Sequence, residues 1–132
     1  MRRLAALTLT AALAAPLLAT PATASTTRAD TAIAHAVWDQ LFTHLGLPRF
    51  DVVISAHAGP LTDWGWFRAR PRDLRVPFQS GYGFVRRERG RWIVVADGSA
   101  LVGCPLPGVA ARYVVPGALR HAAHALCPPP SA

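Results

Sequence analysis

The sequence predicts an α+β fold: an N-terminal amphipathic helix packed on a small antiparallel meander of about four strands, followed by a short, disulfide-tied C-terminal helix. Three observations support it. Apolar residues recur at helical spacing between Thr31 and Leu45, β-rich runs come next between turn residues, and two cysteines lie near the end of the chain.

Ahead of the domain, Met1-Arg2-Arg3 is a short positive segment, and Leu4 to Leu18 is an uncharged Ala/Leu-rich run. Ala22-Thr23-Ala24 supplies the small-x-small cleavage signature before Ser25. This order predicts a cleaved signal peptide over 1–24 and a secreted, extracellular protein. The run is Ala-rich, interrupted by Pro16, and short for a span that needs about 20 strongly apolar residues. Removing 24 of the 132 residues leaves 108, enough for one domain with a modest core. We expect a flexible leader over 25–29, a single α+β domain over 30–127 and a Pro-rich tail over 128–132.

Asp30 is placed to cap a helix from Thr31 to about Leu45, ended by Gly46 and Pro48. On that helix Ile33, Ala34, Val37, Trp38, Leu41, Phe42 and Leu45 share one arc. Phe50 to Ala56 is the first expected strand, closed by Gly59-Pro60, and Asp63 to Arg70 is the second. Ser80 to Arg87 and Arg91 to Asp97 form a hairpin through Glu88-Arg89-Gly90. The last strand is apolar on both sides, which predicts a central strand or one covered on both faces. Val115-Pro116 opens a helix to about Leu126, with Leu119, Ala122, Ala123 and Leu126 on one face. Cys104 and Cys127 are expected to pair, because an exported chain oxidises its cysteines and neither a catalytic thiol nor a metal pair has suitable neighbours in the sequence.

From Asp63 to Cys127, about half of the chain, the sequence resembles a pattern found in small exported actinobacterial proteins. The residues carrying the resemblance are Trp64, Gly90, Trp92, Val94, Val95, Gly98, Gly103, Cys104, Val115, Pro116 and Cys127. Those proteins are uncharacterised domains, so the resemblance implies a fold and a disulfide and brings no catalytic residues. The segment between Cys104 and Val115 is longer than the pattern and reads as an insertion.

All fourteen basic residues are arginine, which first suggests the codon bias of a GC-rich genome. Without Arg2 and Arg3, twelve Arg face seven acidic residues, a net charge of +5. Arg68, Arg70, Arg72 and Arg75 form one cluster, and Arg86, Arg87, Arg89 and Arg91 another. Such a surface suits an anionic envelope polymer or another extracellular protein, and equally a merely solvated face. Export argues against nucleic acid as a partner, and no membrane span is expected in the mature chain.

The chemistry-bearing residues form no enzymatic motif. His121 and His124 are three apart on the expected last helix, yet they stand beside Arg120, with no carboxylate nearby in sequence. His35 and His44 project to opposite sides of the first helix, and His35 with Asp39 forms a surface pair. Ser55, Ser80 or Ser99 could be combined with His57 and Asp63 or Asp97, but no nucleophile elbow is present. No cofactor or metal motif is found. The leading expectation is a non-catalytic binding or interaction module of the cell envelope or extracellular space. The alternative is a small extracellular hydrolase or metal-dependent enzyme. If a ligand surface exists, it is expected at Trp64, Trp66, Arg68, Arg70, Tyr82 and Trp92, where rings and guanidinium groups alternate onto one side of their strands. The competing expectation puts those rings in the core under the first helix.

Overall fold

A computed structural model of the chain describes residues 22–129, with side chains from residue 27. The element order is α1 (Ala22–Val37), a π-helical turn (Trp38–Phe42), a 3-10 turn (Thr43–Leu45), a second 3-10 turn (Arg49–Asp51), β1 (Val52–Ala58), β2 (Trp64–Pro71), β3 (Gly81–Glu88), β4 (Arg91–Gly98), a 3-10 turn (Ala111–Tyr113) and α2 (Gly117–Ala122). The four strands form one antiparallel sheet in the order β1-β2-β3-β4. Cys104 and Cys127 are joined, with their Cα atoms 5.6 Å apart. The α+β architecture and the disulfide are those the sequence predicts. Among the described residues, no helix is long and apolar enough to cross a membrane. Residues 1–21, most of the expected signal peptide, lie outside the described residues.

α1 begins well before Thr31, so the segment 25–29 expected as a flexible leader is helical, and Asp30 sits inside the helix instead of capping it. Its carboxylate accepts the Ala58 N–H of β1 at 2.6 Å. Gln40 does the equivalent at the other edge. Its amide oxygen accepts the Val94 N–H at 3.0 Å and its amide nitrogen donates to the Trp92 carbonyl at 2.9 Å, both on β4. Two polar side chains of one helical run thus satisfy backbone groups on both sheet edges, where unpaired groups would otherwise invite strand addition. β4 is an edge strand, so the expectation of a central strand is corrected. Its apolar residues are still used on both faces. Trp92 and Val94 pack toward α1, and Val95 and Ala96 toward the other side. The register shift at Phe84/Val85 makes room for Val95.

α1 and the π turn cover the sheet with Ile33, Val37 and Phe42, which meet Val52, Phe67, Ala69 and Val85 in a buried cluster. Each such side chain contributes about 1.5–3 kcal/mol on burial. Close approach depends on glycine. A Cβ on Gly65 would lie 2.6 Å from Ile33 Cδ1, and one on Gly83 2.5 Å from the Phe67 ring. Leu45, expected on the buried arc, is exposed. In the π turn, the Thr43 N–H reaches back to the Trp38 carbonyl, which adds a residue to that turn and rotates the next residues out of phase. The run still ends at Gly46, in a left-handed conformation.

The opposite face of the sheet carries a second cluster, Phe84 with Val102, Val115, Leu119 and Ala123, beneath the disulfide-tied C-terminal segment. α2 stops at Ala122, four residues short of Leu126, and Leu126 is exposed instead of sharing the Leu119 face. The Arg89-Gly90 pair, with φ of 48° and 80°, makes the tight β3–β4 hairpin.

Candidate functional site

The register decides which side chains share a face. Trp66 stands opposite Phe84, Arg68 opposite Tyr82, and Trp64 opposite Arg86, while His57 pairs with Trp66 and Ser55 with Arg68. Side chains alternate along a strand. The face away from α1 therefore carries Trp64, Trp66, Arg68 and Arg70 of β2, Tyr82 and Phe84 of β3, and Ser55 and His57 of β1. Five of the six expected ligand-surface residues lie together here. Trp92 does not: it packs with the α1-side cluster, which removes it from this surface. The competing expectation holds for Trp92 and is corrected for the other rings, because Trp64, Trp66 and Tyr82 lie beneath the C-terminal segment and not beneath the first helix.

Cover on this face is partial. Phe84 is fully buried, while Trp64, Trp66 and Tyr82 are half-buried at the margin of the C-terminal segment. The margin is held by specific contacts. The Arg68 guanidinium donates to the Ala123 carbonyl at the end of α2 (3.1 Å), and the Val102 N–H donates to the Tyr82 hydroxyl (3.3 Å). Trp66 and His57 stack with centroids 4.3 Å apart, and the Arg86 guanidinium lies 5.6 Å from the Trp64 ring centre.

Beside this margin is a cleft of 290 Å³ lined by Arg68, Arg70, Ser80, Gly81, Tyr82 and Ser99. The loop after β4 reaches it because Gly98 pairs with Tyr82, which sets Ser99 beside the start of β3. Two arginines and two serines thus line a small concavity with Tyr82 as its aromatic wall. Among the described residues the Arg70 side chain makes no hydrogen bond or ion pair, and the ion pair present is Arg75–Asp73. Arg70 is a planar donor without an anion, on a rigid strand. Around the end of the sheet, a larger cleft of 490 Å³ shares Ser80, Tyr82 and Ser99 and is floored by Leu41, Phe42, Phe67 and Phe78.

The residues considered for catalysis are dispersed. Ser55 and His57 lie on β1, Ser80 just before β3, Ser99 just after β4, and Asp63 in the turn before β2. Among the described residues no hydrogen bond joins a serine hydroxyl to a histidine. His124 follows the end of α2 in a left-handed conformation (φ 53°), so His121 and His124 do not share a helical face. No group of three His, Cys, Asp or Glu among the described residues could hold a metal ion. His35 pairs with Arg49 rather than with Asp39. Its Nδ1 lies 2.7 Å from the guanidinium and must accept, because arginine only donates.

Sequence reasoning identified the rings and arginines of β2 but missed the serines as their neighbours. The Arg89-Gly90 turn alone would not have found them, because the register shift at Phe84/Val85 puts Gly98 rather than Asp97 opposite Tyr82. No family model, no curated protein and no solved structure matches this chain.

Proposed function

We propose that this chain is an exported, non-catalytic binding module of the cell envelope or extracellular space, and that its second sheet face holds an anionic polymer. The observation that carries the reading is the cleft where Arg68 and Arg70 meet Ser80, Ser99 and Tyr82, with Arg70 free of any partner among the described residues. Guanidinium and hydroxyl groups in that arrangement hold phosphate or carboxylate oxygens, and the neighbouring Trp66 and Tyr82 offer surfaces for sugar rings. The signal-peptide pattern over 1–24 and the resemblance to small exported actinobacterial proteins support the destination. A Cys104–Cys127 disulfide is compatible with it.

The test is a calorimetric titration of the chain with a short poly(glycerol phosphate), using a neutral oligosaccharide of similar length as control. Binding of the polyanion with at least about tenfold loss in Arg70→Gln, at unchanged melting temperature, supports the reading. Equal binding by Arg70→Gln, or equal affinity for the neutral glycan, refutes it.

A further inference from the structure

At the end of the sheet where β1 ends and β2 begins, a separate cleft of 330 Å³ is lined by Thr62, Asp63, Trp64, Arg87 and Trp92 together with the Gly59-Pro60 turn. Trp64 packs with the cluster under the C-terminal segment and Trp92 with the cluster under α1. One tryptophan from each layer therefore borders the same cleft, and both are half-buried. The Asp63 carbonyl accepts the Arg87 N–H at 2.7 Å, and Arg87 stands opposite Trp92 on β4. Asp63, Arg87 and Trp92 thus form one row across this end of the sheet. Asp63 is held in a left-handed conformation (φ 61°), which aspartate adopts more readily than most residues. The arginine that engages the Trp64 ring is Arg86, not Arg87. Among the described residues the side chains of Thr62, Asp63 and Arg87 make no hydrogen bond or ion pair.

We infer that this cleft binds a neutral pyranose sugar. Asp63 and Arg87 offset each other's charge, so the cleft selects no net charge in its occupant. A carboxylate only accepts hydrogen bonds and a guanidinium only donates them, whereas a sugar hydroxyl does both. Neighbouring hydroxyls on one ring therefore satisfy the two groups together, while the C–H face of the ring lies against tryptophan. A free ion would gain little here, because Asp63 and Arg87 are exposed and exposed ion pairs contribute weakly. The two tryptophans offer the larger contact. The volume lies at the small end of ligand clefts, which run from about 300 to 1,000 Å³. This site is independent of the polymer-binding reading: it shares no residue with the Arg68/Arg70 cleft, and Trp64 and Arg70 lie toward opposite ends of β2. Affinity for so small a ligand should be about millimolar, which leaves the preference of the Arg70 cleft for a polyanion visible.

The experiment follows the indole N–H signals of the full, nitrogen-15-labelled chain by NMR, assigned through single Trp→Phe variants. The probes are the methyl pyranosides of glucose, galactose, mannose and N-acetylglucosamine, with glycine betaine as a zwitterion that tryptophan could also hold. Saturable shifts of Trp64 and Trp92 with at least one sugar, while Trp38 and Trp66 stay in place, support the inference. Arg87→Gln should then raise the Kd about fivefold and Asp63→Asn about threefold, whereas Arg70→Gln should leave it unchanged. High salt should also leave it unchanged, because the ligand is neutral. Three results overturn the inference. None of the four sugars moves Trp64 and Trp92; all four tryptophans move alike, as a nonspecific effect would make them; or betaine shifts the pair while the sugars do not, which assigns the cleft to a charged ligand.

Discussion

One sheet presents two faces, and they are built differently. The face under α1 is aliphatic and glycine-lined, so that Ile33, Val37 and Phe67 meet at close range. The face under the C-terminal segment is aromatic and basic, and its cover is a six-residue helix held by a disulfide and a few hydrogen bonds. A long helical run can exclude water from a whole face through its own apolar stripe. A short helix cannot, so the second face keeps a wet margin where Trp66, Arg68 and Tyr82 remain in reach of solvent. The layer that is hard to complete is also the layer that offers a binding surface.

This contrast can be challenged at its strongest point first. Phe67→Ala should cost about 3–5 kcal/mol in denaturant unfolding, because the α1 face has little freedom to collapse around a missing ring. Phe84→Ala, equally buried on the other face, should fall at the lower end of that range as the thin cover relaxes. Equal losses would mean the two layers are equally rigid. Next, the Cys104→Ser/Cys127→Ser double variant should lose about 3 kcal/mol. In its folded state, acrylamide should quench Trp64 and Trp66 more strongly while Trp38 and Trp92 stay as they were; uniform quenching would contradict a cover local to one face.

Three further substitutions probe the same difference between the layers. Gly65→Ala should destabilise by about 1–3 kcal/mol, since the added carbon meets Ile33 and the His57 carbonyl, 2.6 and 2.8 Å away. Gly117→Ala in α2, where the nearest atom is the far end of Arg120 at 3.6 Å, should be neutral or stabilise by about 0.5 kcal/mol. The smallest loss is expected for Gln40→Ala, about 1 kcal/mol by thermal unfolding, with faster hydrogen exchange at Val94 as the local signature. Unaltered exchange there would mean that Gln40 does not seal the β4 edge.

Much of the fold is legible in the residues. The alternation of Trp64 to Arg70 announces a strand and sorts its rings and guanidinium groups onto one side. Arg89-Gly90 announces a hairpin, and Gly46 ends the first helical run. Other features misled for identifiable reasons. Asp30 has the composition of a cap, yet its oxygen is used 28 residues away on Ala58. Leu45 fits an ideal helical arc, but the π turn beginning at Trp38 shifts the phase. Trp92 has the composition of a ligand-surface ring, but its register opposite Arg87 turns it to the α1 side. The candidate cleft was half visible: its arginines by spacing, its serines only through strand pairing.

The local elements, the number of strands, the hairpin and the cysteine pair are therefore written in the chain itself, because propensity, period and turn chemistry act between residues close in sequence. The edge position of β4, the face that α1 covers, and the meeting of Ser80 and Ser99 with Arg68 and Arg70 are settled only in the folded molecule. Those outcomes depend on contacts between distant segments, where register and close packing choose among arrangements that local patterns leave equal.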